Sequence, residues 1–183
     1  WRNLISNLRA EFSGSIAYAG IVTDTDDGRF HELSAFPIDA LDAVFVVPWA
    51  SIMEGSSHPV GELTTAFTAL LTEVETSLAD VLGDEAAGPR PEIRFITPFQ
   101  SHLGAEQQRW FEPALSHAEL QQMPDHNFAF QPDTHTQARM YEAFFQSVAA
   151  DQFNWVSGVW SWGFWWRNDP TAMYRRGDAS FDL

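Results

Sequence analysis

The sequence contains no cysteine, which excludes disulfides and thiolate chemistry and leaves the redox compartment unread. Secretion and a cytoplasmic location both stay open. Lysine is missing as well: all ten basic residues are arginine, set against 25 acidic ones for a net charge of −15. That balance argues against a nucleic-acid partner, whose phosphates need a basic footprint, and against an anionic membrane surface. A lysine-free acidic surface suits high salt, where self-repulsion is screened, and follows equally from a coding bias toward arginine. Long hydrophobic runs are lacking too. The nearest, Phe153 to Trp166, is shorter than the roughly 18 residues of a membrane span and is interrupted by Asn154, Ser157 and Gly158. No signal peptide is visible.

Several chemistries lack their motifs. His117, His126 and His135 share no metal-ligand spacing, and the run Asp24, Asp26, Asp27 lacks the distal glutamate of a calcium loop. No metal and no cofactor is expected. A phosphate-cradling glycine loop, a serine nucleophile elbow and a kinase signature are all absent. Ser13-Gly14-Ser15 precedes a strand and not a helix, so it is no phosphate cradle.

What is present is an alternation. The 183 residues, 45% of them hydrophobic, suffice for one compact core, so residues 1–183 read as a single unit. Four runs rich in β-branched and aromatic residues read as strands: Gly14–Gly20, Asp42–Pro48, Glu92–Pro98 and Val156–Trp162. Helical patterns separate them. From Pro59 to Leu82 the residues Leu63, Phe67, Leu70, Leu71, Val74, Leu78 and Val81 recur at helical spacing, with Pro59 in the first turn and Gly83 at the end. A second helix is expected from Asp133, its N-cap, to Ala150, with Gln137, Tyr141, Phe144, Phe145 and Val148 on one face. Phe30–Ala40 holds room for a short helix, and Asp24–Gly28 and Gly83–Pro91 read as loop and turn. Trp1 opens a stretch that already reads as helix, with Leu4, Ile5 and Leu8 on one face. Such an opening is expected of a piece of a longer chain. Strands separated by helices imply βαβ units and a parallel sheet, the α/β class. The passage from Phe99 to Pro132 is long, and loops of that length within a domain are often functional.

In order and spacing these segments resemble the C-terminal half of a clan A glycoside hydrolase, a (β/α)8 TIM barrel, most closely the β-mannanase-like family 113. Trp1–Phe12 running into Ser13–Ala19 resembles the helix after strand four and then strand five. Leu41–Pro48 resembles strand six, Pro91–Pro98 strand seven, Gln137–Phe145 the last helix and Gly158–Trp162 strand eight. The resemblance implies a partial barrel of strands five to eight with its intervening helices, acting on a β-linked glycan of mannan type. It implies a site at the carboxyl ends of the strands. It also implies two partners: an oligo- or polysaccharide, and the N-terminal half-barrel of the same parent chain. Retaining enzymes of this kind need two carboxylates about 5 Å apart. The family's acid/base glutamate lies after strand four, outside this chain, and its nucleophile position after Thr97 holds Pro98. The catalytic pair is therefore incomplete within this chain, and its catalytic residues are unassigned. A barrel that binds glycan without cleaving it is the alternative, and a half-barrel pairing with a second copy is a third reading.

The candidate substrate-binding residues follow from position. Trp49 follows strand six; Phe99, Gln100 and His102 follow strand seven; Trp160, Trp162, Trp165 and Trp166 lie on or after strand eight. Flat indole faces stack on sugar rings while their N–H groups find partners, although Trp160 reads equally as filling of the barrel interior. Trp155 belongs to the same aromatic cluster. Glu54 is the acid best placed to reach the site from the loop after strand six, although a solvated loop acid is the favoured reading of it. Glu92 opens its strand and is expected away from the site.

Overall fold

The structure is a computed structural model, and it describes residues 1–22, 30–48, 51–55, 57–83, 90–97, 99, 106 and 133–161. Its elements, in chain order, are α1 (Arg2–Glu11), β1 (Ala17–Val22), α2 (His31–Ala35), β2 (Ala43–Pro48), α3 (Val60–Leu82), β3 (Glu92–Thr97), α4 (Thr134–Val148) and β4 (Val156–Ser161). One-turn 3₁₀ segments precede β2 at Ile38–Ala40 and β4 at Asp151–Phe153. The four strands form one sheet in the order β1-β2-β3-β4, and every pairing is parallel. The expected α/β class and parallel sheet are what the chain adopts.

The helices form where the sequence supplies both a stripe and an end. In α3, Leu63, Phe67, Leu70, Leu71, Val74 and Leu78 are the buried residues, one apolar face repeated every three or four positions. The helix ends at Gly83, whose φ of 66° lies in the left-handed region that a residue with a Cβ avoids. Helix α4 starts at an N-cap: Asp133 accepts from the Thr136 N–H at 3.0 Å and from the Thr136 hydroxyl at 2.5 Å. The Phe30–Ala40 stretch splits into α2 and a 3₁₀ turn at Pro37, which cannot continue a helix.

Alternation along the strands sorts their side chains onto two faces. On the first face, Val44, Val46, Ile93 and Phe95 join Leu33 of α2, Phe67 of α3 and Phe144 of α4 in one continuous core. Phe144 meets Phe67 at 5.3 Å and Phe95 at 5.5 Å between ring centroids, both edge to face. Gly20 permits close approach: a Cβ there would lie 2.6 Å from Leu33. All described helices that contribute to this core lie on this face. The second face carries Ala19, Phe45, Arg94, Ile96 and Trp160, none of which belongs to the buried core cluster, together with Ala43 and Val47, which are buried.

Two expectations move. Strand β1 begins at Ala17 and runs to Val22, later than Gly14–Gly20. Gly14 instead lies under the ring of Phe12, with 2.3 Å from its would-be Cβ to that ring, and the ladder opens only after Asp42 has bracketed Ile16. The Asp42 carboxylate accepts from the Ile16 N–H at 2.8 Å, and the Asp42 N–H donates to the Ile16 carbonyl at 3.0 Å. In α1 only Ile5 is buried, while Leu4 and Leu8 stay 49% and 44% exposed. The expected three-residue apolar face is thus largely uncovered by the described residues.

Candidate functional site

In a parallel sheet the carboxyl ends of the strands gather the connecting segments, and here they are Val22, Pro48, Thr97 and Ser161. Two groups of side chains stand near that end or on the second face leading to it.

The first is aromatic. Trp160, in the carboxyl-terminal half of β4, is 55% exposed and meets Phe45 of β2 edge to face, with 5.5 Å between centroids. The guanidinium of Arg94 sits 5.7 Å from the Phe45 ring centroid, within cation–π range, and forms an ion pair with Glu92. A β-bulge decides where Trp160 points. The β3–β4 register steps from Ile93↔Val156 to Arg94↔Gly158, so Ser157 is extra. Val156 and Val159, three apart, therefore both pack against the helix-side core, and Trp160 turns to the second face.

The second group is polar and centres on Glu106, whose side chain is fully buried. Its Oε1 accepts from the backbone N–H of Ser57 at 2.9 Å and of His58 at 3.3 Å. Its carbonyl accepts from the N–H of Ile52 at 3.0 Å and of Met53 at 3.3 Å. Arg139 of α4 holds its Nη2 3.8 Å from the carboxylate, and His58 its Nδ1 at 4.0 Å. Arg139 also donates to the Thr136 hydroxyl at 2.6 Å, which ties this group to the Asp133 cap. Asp133 is pushed up by burial and pulled down further by the Thr136 hydrogen bonds and the Arg139 charge, so its carboxyl stays below its usual 3.8.

The expected site residues divide among these settings. Trp160 faces open space beside Phe45. Phe99 is a correction: its ring is 0% exposed and packs 5.1 Å from Tyr141, 5.3 Å from Phe67 and 5.6 Å from Phe144. It follows Phe95 and Thr97 at alternate positions and keeps to their helix-side face, so it is core and no wall for a ligand. Its carbonyl accepts from the Gln137 amide at 2.9 Å. Trp155 likewise packs on Phe95 and Phe153. Glu54 is exposed in the segment after β2, and Glu92 is exposed at the start of β3, away from the carboxyl ends. Trp49, Pro98, Gln100, His102, Trp162, Trp165 and Trp166 lie outside the described residues, as do the Asp24–Gly28 loop and almost all of the Phe99–Pro132 passage.

Sequence reasoning passed over Glu106 entirely. It is one acid in a long connection with no motif around it, and only its burial among donors marks it. No family model, no curated protein and no solved structure matches this chain.

Proposed function

We propose that this chain is the strand-five-to-eight sector of a glycoside hydrolase-like (β/α)8 barrel that acts on a β-linked glycan, with a mannan-type polymer favoured. The observation that carries the reading is the second face of the sheet. Four parallel strands lie in sequential order, the described helices of the core lie on one side, and the other side presents Phe45, Arg94 and Trp160. A doubly wound sheet carries helices on both faces and reverses its strand order; a barrel sector does neither. In a closed barrel this second face is the interior, and the remaining strands come from an N-terminal half of the same parent chain.

The chemistry then divides between the halves. This sector supplies an aromatic surface: Trp160, in the carboxyl-terminal half of β4, takes up the C–H face of a sugar ring, while Phe45 and Arg94, in the middle of their strands, support it from the barrel interior. The acid that protonates the leaving oxygen comes from the other half. The family's nucleophile position is Pro98, which carries no carboxylate, and this favours the alternative that the barrel binds glycan without cleaving it.

One experiment separates the outcomes. Manno-oligosaccharides are titrated into the parent protein while tryptophan fluorescence and newly released reducing ends are followed together. Saturable quenching with release of reducing ends is the result expected of the hydrolase. Quenching without release establishes the binding protein, and the absence of any response to mannan-type, gluco- or xylo-oligosaccharides overturns the sugar reading altogether.

A further inference from the structure

We infer that Glu106 is a positioning residue, whose carboxylate holds Ser57 and His58, in the segment after the carboxyl end of β2, in the place a ligand at that end meets. The inference rests on the glycan reading only for the identity of the ligand.

A carboxylate withdrawn from water needs donors and positive charge around it. The carboxylate of Glu106 has the N–H groups of Ser57 and His58 on its Oε1 and the Arg139 guanidinium 3.8 Å away, while its backbone carbonyl accepts from Ile52 and Met53 of the same segment. Within this segment Gly55 has φ 96° and Ser57 φ 64°. Serine in the left-handed region is strained unless its surroundings hold it there. Successive N–H groups beside a left-handed residue form a concave nest for an anion, and Glu106 is the anion in this one. The nest opens directly before α3, whose amino-terminal dipole favours negative charge, and Arg139 of α4 closes it at 3.8 Å. Glu106 thereby links the segment after β2 to α4. Ser51 stands three residues after Pro48, the last residue of β2, so the shape of this segment bears on the carboxyl end of that strand. The enclosed carboxylate acts through this segment and touches no open face.

The test uses Glu106→Ala and Glu106→Gln in the full chain, with amide hydrogen exchange over 51–58 and affinity for manno-oligosaccharides as readouts. In Glu106→Ala the Ser57 and His58 amides lose their acceptor, so exchange there rises about tenfold or more, and glycan affinity falls by about the same factor. Glu106→Gln keeps an acceptor at the same place without the charge and restores most of both. Unchanged exchange at Ser57 and His58 in both variants overturns the inference. Faster exchange with undiminished affinity also overturns it, since Glu106 would then be a local stabiliser only. Where Glu106→Ala does not fold, the glutamine variant is read alone: exchange at Ser57 and His58 about twofold faster together with about twofold weaker affinity supports the inference, and wild-type exchange overturns it whatever the affinity. If the wild type binds no glycan, the sugar reading fails, while exchange at Ser57 and His58 still decides whether the clamp exists.

Discussion

The two faces of the sheet are built from similar residue types and meet different fates. On the helix side, Val44, Val46 and Phe95 are fully buried beneath Phe67 and Phe144. On the other side, Phe45 is partly exposed and Trp160 more than half exposed, although an indole buries more apolar area than any valine. Hydrophobicity alone therefore does not assign a residue to the core of this chain. Four helices, α1 to α4, contribute to the core beneath the first face, while on the second the buried side chains of β2 are the shorter Ala43 and Val47. An exposed aromatic pair beside an arginine on the other is the composition expected of a surface that meets something else.

Replacing residues on each face tests that contrast. Phe144→Ala or Phe67→Ala removes a ring at the meeting point of α3, α4 and the sheet, and either is expected to cost about 3–5 kcal/mol in urea unfolding. Phe45→Ala, the same chemical change on the second face, is expected to cost less than half of that, about 1–1.5 kcal/mol, because the site is already partly wet. Equal losses would mean that the second face is covered in solution as thoroughly as the first.

Much of this arrangement was legible in the sequence, and the exceptions have physical causes. Helix α3 was readable because six buried residues repeat on one stripe and Gly83 stops it. Strands β2, β3 and β4 start within one residue of their expected positions because they are short β-branched or aromatic runs. Strand β1 was displaced because Gly14 and Gly20, read as its ends, serve close approach to Phe12 and Leu33. Phe99 was misplaced because its position after the strand was weighed above the period of two that links it to Phe95 and Thr97. The orientation of Trp160 depends on the bulge at Ser157, which no propensity announces; a glycine inside a strand, Gly158, is the one available hint. Glu106 was illegible because a buried carboxylate is defined by distant donors, here 48 and 49 residues away at His58 and Ser57.

The helix ends on the covered face carry smaller terms. Asp133→Ala removes the side-chain cap of α4 and is expected to cost about 1 kcal/mol. Its pH dependence has a definite sign. The folded carboxyl lies below its ordinary 3.8, so the contribution is complete above that pH and fades as pH falls through the lowered folded value. Acid titration of the wild type and of Asp133→Ala should therefore converge once the pH falls below the lowered folded value. A gap that persists there assigns the stabilisation to something other than the ionised cap. Gly83→Ala is expected to cost about 1 kcal/mol from backbone strain alone, since no atom lies within 4 Å of the added Cβ.

The smallest expected change in stability belongs to the residue with the largest expected change in binding. Trp160→Ala removes a ring whose surroundings are mostly solvent, so unfolding should shift by no more than about 0.5 kcal/mol. Among the described residues its ring partner is Phe45, and an exposed edge-to-face pair adds about 0.5–1.5 kcal/mol at most. Under the proposed function the same substitution removes the flat surface on which a sugar ring stacks, which weakens glycan binding by about tenfold or more. Trp160→Phe keeps a flat face and should keep most of the affinity. A Trp160→Ala variant that is strongly destabilised and still binds glycan would reverse both halves of the contrast: the second face would be core, and the ligand surface would lie elsewhere.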